Sequence, residues 1–301
     1  LASRGEDPAR WIAGATSGSA LPSLEDATET GEALIPYRWE RNAELWLLGH
    51  GGLAKLREWA TAILPGPVWQ VRFAREGERR WWWVVVDARN GRVTGFARGL
   101  PEEAPGASLE PPQALEVAKR AAKELGIDPA SLAVVSSNAE ERKARRDHRV
   151  VFEAPAQAAG EARRRVTVKV AGEEPALVAT AIKLPEAWGR ERGRSTAATY
   201  AALALKVAGF GTLVGLGLVT LLRTHRKGRI RWREAARLAA FLTVPALLAR
   251  ISELPALVSR WPSEMPIATW SVTAAIGVTV DLLLSYLLAL VSLGLVTAAA
   301  P

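Results

Sequence analysis

The stretch Ala198 to Leu222, ATYAALALKVAGFGTLVGLGLVTLL, carries Lys206 as its only charge in 25 residues. At ~1.5 Å rise per residue, a helix of that length exceeds the ~30 Å hydrocarbon core of a bilayer. Leu203, Val207, Phe210, Val214 and Leu218 are apolar, and Gly209, Gly211, Gly215 and Gly217 stud the same segment. Glycine penalises a helix in water, whereas membrane helices tolerate it and use it for close packing, as in the small-xxx-small pair Gly211 and Gly215. A buried helix of a soluble core is the competing reading, and the glycine content weighs against it. The chain before this helix reads as water-soluble and the chain after it as membrane-bound.

The 301 residues contain no cysteine, which removes disulfide scaffolds, thiolate nucleophiles and Cys-ligated metal sites. The net charge of +8 raises the question of nucleic acid. Much of the excess, however, flanks hydrophobic spans, where retention of basic loops in the cytoplasm explains it and no nucleic-acid partner is needed. Arg223, Arg226, Lys227, Arg229, Arg231 and Arg233 follow the first span against one Glu234, so the 223–234 loop is expected to be cytoplasmic and residues 1–197 extracytoplasmic. Arg190, Arg192 and Arg194 on the other side weaken that asymmetry without reversing it. Of twelve Trp, Trp232, Trp261 and Trp270 fall at expected membrane ends, where amphipathic rings favour the headgroup layer. No signal segment precedes the soluble part, so an upstream signal or anchor helix is expected before Leu1.

Residues 1–34, rich in Gly, Ser, Ala and acidic side chains, read as a loosely ordered lead-in. Residues 35–190 read as one α+β domain. Its helical signals begin near Arg38, with Glu44 to Leu48, and resume at Leu53–Leu64, with Gly49–Gly52 as a break and Leu53, Leu56, Trp59, Ala60 and Ile63 on one apolar face. Strands are expected at Val68–Arg75, Arg80–Ala88 and Arg92–Ala97, with Asp87 to Gly91 as the hairpin turn. A second helix is expected at Pro111–Leu125, with Ala114, Leu115, Ala118, Ala121, Ala122 and Leu125 inward and Gly126 closing it. Strands then follow at Leu132–Ser136, His148–Ala154, Arg163–Val170 and Ala176–Lys183. Two helix-then-meander units suggest a domain built by duplication.

Trp83-Val84-Val85-Val86-Asp87, with Gly91, Val93, Gly95 and Phe96 after it, resembles the strand–turn–strand signature of PepSY-type domains, small extracytoplasmic modules often associated with proteases. More broadly, residues 35–297 resemble the N-terminal half of a bacterial group of CAAX-type (CPBP) intramembrane metalloproteases. The likeness rests on Val68-Trp69-Gln70-Val71-Arg72-Phe73, Leu100-Pro101-Glu102-Glu103-Ala104-Pro105-Gly106-Ala107, Arg146-Asp147-His148, the Val166-to-Gly172 strand and Leu184-Pro185-Glu186-Ala187-Trp188. It implies a bacterial inner membrane location and a non-catalytic regulatory or substrate-presenting role. Zinc is implied only for a catalytic half that this chain does not include.

The membrane region, 198–301, is expected to hold spans at 198–222, 235–257 and 270–297. Pro245 is expected to kink the second, and the Pro-rich Leu254–Ala268 loop, extracytoplasmic on this topology, also resembles one in that protease group. Asp281 lies near the middle of the third span, where an ionisable group marks either a site or a helix-packing contact. Thr279, Ser285 or a polar group from another helix would satisfy a protonated Asp281; Asp281 and Arg250, the latter near the outer end of the second span, are the candidate intramembrane polar contacts, and an ion or solute pathway using them is a third reading.

The metalloproteases of this group carry Glu-Glu-x-x-x-Arg within a membrane helix. Glu140-Glu141-Arg142-Lys143-Ala144-Arg145 matches literally but reads as a solvated loop between strands. His50, His148 and His225 are the only histidines and fall in separate elements, so no metal set is expected, and no phosphate loop or nucleophile motif occurs. His148 beside Asp147 reads as a structural hydrogen-bonding pair. No catalytic residue is assigned. The alternative function, from a different class, is an accessory structural subunit of a larger membrane complex, with the bilayer and other membrane helices as partners.

Overall fold

β-Branched and aromatic tracts form the expected strands because their side chains pack well on a pleated surface. The computed structural model describes residues 11–18, 45–54, 56–57, 68–155, 162–193 and 197–299. Strands β1 (Ile12–Gly18), β2 (Val68–Ala74), β3 (Trp81–Asp87), β4 (Val93–Gly99), β5 (Ala133–Glu141), β6 (Arg146–Glu153), β7 (Arg163–Ala171) and β8 (Glu174–Lys183) form one sheet. The order is β1-β2-β3-β4-β8-β7-β6-β5, and every pair is antiparallel.

Two sequence expectations change. Residues 12–18, read as part of a loose lead-in, form an edge strand against β2. Short Gly/Ala/Ser/Thr strands lack the hydrophobic alternation that advertises a strand, and backbone pairing with β2 supplies what side chains do not. The duplication also needs restating. The meanders β2–β4 and β6–β8 match and meet antiparallel through β4 and β8. Yet helix α1 (Pro111–Glu124) precedes all four strands of the second half, whereas helical residues 45–54 fall between β1 and β2 in the first. Gly49 and Gly51 lie within that helical run, and Gly52 has a φ of 65°. Leu53, expected inward, is exposed, while Trp46 and Leu47 are buried. Trp59, Ala60 and Ile63 lie outside the described residues.

One face of the sheet holds the main core. Trp82, Phe96, Val150, Phe152, Val166, Val168 and Val178 pack with Ala118, Ala121 and Ala122 of α1. Ala side chains let the helix backbone approach the sheet closely. Two prolines open the helix, the Glu110 backbone N–H donates to Gln113 Oε1 at 3.1 Å, and the Ile127 N–H closes back on the Ala122 carbonyl.

The chain divides into two units, Leu1–Gly189 with Pro255–Ile267, and Arg190–Leu254 with Ala268–Pro301. In the first, helix α2 (Glu186–Gly193) begins beyond β8, and Trp188 packs edge-on to Trp46 at 5.6 Å. The second holds most of three long helices, α3 (Ala197–Arg226), α4 (Trp232–Ser252) and α6 (Ile267–Ala299), with the short α5 (Leu254–Ser259) between the last two. All three long helices have the length and apolarity to cross a membrane. α4 runs through Pro245 as one helix. Ile230, Ala235 and Ala239 are buried, and Gly294 lies against the Ile230 and Trp232 side chains.

Candidate functional site

Alternation along each strand, combined with the pairing registers, sets one row of neighbours across all eight strands on the face opposite α1. The row is Gly14, Arg72, Trp83, Ala97, Leu177, Lys169, Arg149 and Asn138. At ~4.8 Å between strands it is about 34 Å long. Its chemistry changes from end to end. Gly14 and Arg72 receive a segment of chain, Trp83, Ala97 and Leu177 belong to an apolar cluster, and Lys169, Arg149 and Asn138 line an open cleft.

The segment on Gly14 and Arg72 is Pro255–Ile267, the expected loop between the second and third spans. Arg72 Nη1 donates to the carbonyls of Trp261 and Ser259, the latter at 3.5 Å. The Gly77 N–H donates to the Ser263 carbonyl at 2.7 Å, Ser263 Oγ to the Glu78 carbonyl at 2.6 Å, and the Ile267 N–H to Glu76 Oε1 at 3.1 Å. Trp261 is 1% exposed, and its indole N–H is satisfied by the Met265 carbonyl at 2.9 Å. Burial pulls the Arg72 guanidinium below its ordinary value, though it remains a cation at any physiological pH. The segment is thus a strap built into the α+β unit rather than a free loop. Its composition hides this, because Pro, Ser and a lone Trp are equally at home in an exposed turn.

The cleft has a volume of about 520 Å³ and is lined by ends of β3, β4, β8, β7, β6 and β5. Six cations, Arg79, Arg98, Arg142, Arg145, Arg149 and Lys169, face three carboxylates, Glu102, Glu140 and Asp147. Arg145 is 5% exposed and donates to Asp147 Oδ1 at 2.7 Å and to the Pro101 and Ala104 carbonyls at 2.9 and 2.8 Å. Arg142 bridges Glu140 and Asp147, and Arg98 pairs with Glu174 while its guanidinium lies 5.0 Å from the Trp82 ring centre. At the other end the Trp81 indole lies so close over Gly99 that a Cβ there would sit 2.1 Å from the ring.

The literal Glu140-to-Arg145 match therefore has a structural use. Glu140 and Glu141 are on exposed β5, while Arg145, read as solvated, is a buried tie between the 101–104 segment and β6. His148 and Asp147 do not pair, because adjacent strand residues point to opposite faces. Asp147 takes Arg142 and Arg145, and His148 Nε2 meets the Leu109 carbonyl at 2.8 Å. His50 stacks on Trp46 at 3.5 Å, with Nδ1 3.0 Å from the Trp46 carbonyl, and His225 lies edge-on to Trp232. Among the described residues no group of His, Asp and Glu could hold a metal, so this donor set does not fit the zinc of the resembling proteases.

In the membrane unit, Asp281 Oδ2 accepts Arg250 Nη2 at 2.6 Å and Nε at 3.0 Å, and Arg250 also donates to Glu253 at 2.8 Å. Asp281 lies near the middle of α6. Helix α6 has 33 residues and is about 50 Å long, more than a ~30 Å core requires. Trp232 packs at Gly294; along the helices, Arg250 lies about 27 Å and Asp281 about 20 Å from that level. The two side chains of the pair are 40% and 48% exposed within the chain. Asp281→Asn keeps an acceptor for Arg250 and is expected to cost about 0.6 kcal/mol, as intramembrane polar contacts do on average. Unfolding in SDS–detergent mixtures followed by Trp fluorescence measures it; a loss beyond ~2 kcal/mol would show that the charge itself holds the helices together.

No protein-family model, curated protein or solved structure matches the chain.

Proposed function

We propose that this chain is a non-catalytic regulatory or substrate-presenting region of a CAAX-type protease-like membrane protein of the bacterial inner membrane. The observation that carries the reading is the face shared by strap and cleft: a surface able to hold a ligand is continuous with the segment that links two membrane helices. The resemblance of residues 35–297 adds to it. The strap also supports the topology. Residues 11–189 and 255–267 share a unit, so an even number of crossings separates them, as two spans and a basic 223–234 loop on the cytoplasmic side provide.

The absence of cysteine makes this topology directly testable. Glu102→Cys is expected to react with a membrane-impermeant maleimide in intact spheroplasts, and Lys227→Cys only after lysis; the reverse pattern inverts the assignment. The protease context is tested on native protein extracted from membranes. Chelator-sensitive peptide cleavage should accompany it, and reversing Lys169 should alter that cleavage.

A second reading, an accessory subunit of a larger membrane assembly, is favoured by α3. Among the described residues nothing buries its apolar window, and the Cβ positions of Gly209, Gly211, Gly215 and Gly217 meet no neighbour within 4 Å. Another helix packing there would suit this surface. Stoichiometric recovery with other membrane subunits, and no cleavage, would select it over the protease reading.

A further inference from the structure

We infer that the turn between α3 and α4 is a binding surface for anionic phospholipid, whose phosphodiester headgroups take its unpaired cations. The inference goes beyond the protease reading and needs only that these two helices cross a bilayer.

The charge is free. Residues 223–237 hold seven cations and one carboxylate, Glu234. That carboxylate is taken by Arg231 at 3.5 Å. Arg223, Arg226, Lys227, Arg229, Arg233 and Arg237 are exposed, and among the described residues none of their side chains has an ion pair or a hydrogen bond.

The charge is also held in place. Retention of a basic loop on one side of a membrane requires only its charge, and a long solvated loop would serve. Here α3 ends at Arg226 and α4 begins at Trp232, which leaves five residues between them. Gly228, with a φ of 64°, reverses the chain. Its N–H donates to the His225 carbonyl at 2.9 Å, and the Arg229 N–H donates to the Thr224 carbonyl at 3.3 Å. Ile230 is 8% exposed and lies against Gly294 of α6, so the turn is fastened to the helices.

The level is that of the headgroups. The apolar run of α3 ends at Leu222, and Arg226 lies four residues, about 6 Å, further along the axis. One headgroup layer is about 5–7 Å thick. On α4, Arg237 lies about 8 Å back from Trp232 and returns its guanidinium to the same layer by extending its stem outward. Six uncompensated cations at this level need counter-anions, and the fixed ones there are lipid phosphates. A choline headgroup offsets its own phosphate. An anionic headgroup does not, which enriches it roughly fivefold for each Lys or Arg near the surface. A nucleic-acid strand offers the same phosphodiesters but would have to enter the headgroup layer to reach these side chains.

The test reconstitutes the full chain in phosphatidylcholine bilayers with a trace of spin-labelled phosphatidylglycerol or phosphatidylcholine. Electron spin resonance then reads the fraction of each lipid immobilised by the protein. Phosphatidylglycerol is expected to associate at least threefold more strongly at low salt, falling towards parity at high salt. Arg226→Gln with Arg229→Gln should lose most of that preference with Trp emission unchanged. Arg120→Gln with Lys123→Gln, the same charge removed from exposed positions on α1, should keep it. Equal association of the two lipids with the native chain at low salt overturns the proposal, and that measurement needs no variant to fold. An equal loss in the two double variants also overturns it. So does glycerol 3-phosphate if it removes the preference more than sodium chloride of the same ionic strength, which would mark a soluble-phosphate site. Displacement of the anionic lipid by a single-stranded oligonucleotide at physiological salt would assign the turn to nucleic acid instead. The preference is read on the chain alone, so failure of the protease reading leaves it standing.

Discussion

Replacing Glu153 by alanine is expected to destabilise the α+β unit by about 3 kcal/mol, the low end of the range for breaking a buried ion pair on one side only. Glu153 ends β6 and is 5% exposed. Its Oε1 accepts Arg165 Nε at 3.0 Å and Nη2 at 2.5 Å, with Lys183 Nζ at 3.7 Å, and Arg163 lies 3.8 Å from Oε2. One carboxylate thus holds three cations together. Without it they repel one another, although their own exposure of 32–50% screens part of the penalty and sets the estimate low in the range. Glu153→Gln keeps an acceptor and should cost less.

Acid provides an independent check. Burial pushes the Glu153 carboxyl up, but the Arg165 hydrogen bond and the charges of Arg165, Lys183 and Arg163 together hold it below the ordinary range. Its folded pKa being depressed, its contribution is complete above the unfolded value near ~4.3 and is lost as pH falls through the folded one. Asp87, held low chiefly by the Arg89 side-chain hydrogen bond, titrates in the same sense. Urea unfolding by Trp emission at pH 7 and pH 3 should show the gap between native protein and Glu153→Gln narrowing in acid. A gap of the same size at both pH values would mean the charge is irrelevant and only packing was lost.

How far the sequence reveals this arrangement depends on the range of each interaction. Elements made by local rules are legible. The WWWVVVD strand, the Ala-lined α1 and the apolar helices fall within a few residues of where periodicity puts them, because those signals lie within the segment itself. Pairing between distant strands leaves no such trace. Nothing in FAR or ALVAT says that Ala97 lies beside Leu177, and this contact joins the two meanders into one face. Charge is equally silent about burial: Arg142 and Arg145 look alike in a run of cations, yet one is half-exposed and the other nearly sealed.

The strap is the part least visible in sequence, and Gly14 gives the sharpest test of it. A Cβ built on Gly14 would lie 2.2 Å from the Ser259 nitrogen, 2.5 Å from its Cα and 2.6 Å from the Val258 carbonyl carbon. These are main-chain atoms, with no rotamer to swing away, so in Gly14→Ala either the strap lifts or the edge strand yields. Lifting exposes Trp261, whose burial is worth about 2–3 kcal/mol, and frees the carbonyls held by Arg72. The Gly77, Ser263 and Ile267 hydrogen bonds add to that docking energy, but main-chain atoms cannot sit at these separations, so one of the two segments must move. Arg260 supplies the reading, since trypsin cleaving after it needs several neighbouring residues to leave the sheet. Cleavage there is expected to quicken at least tenfold in Gly14→Ala, with Trp emission moving to the red. Arg72→Ala, which removes the anchor without adding bulk, should fall between. If trypsin cuts Gly14→Ala no faster than the native chain while Trp emission is unchanged, the 255–267 segment does not rest on β1, and the continuity between cleft, strap and membrane helices fails with it.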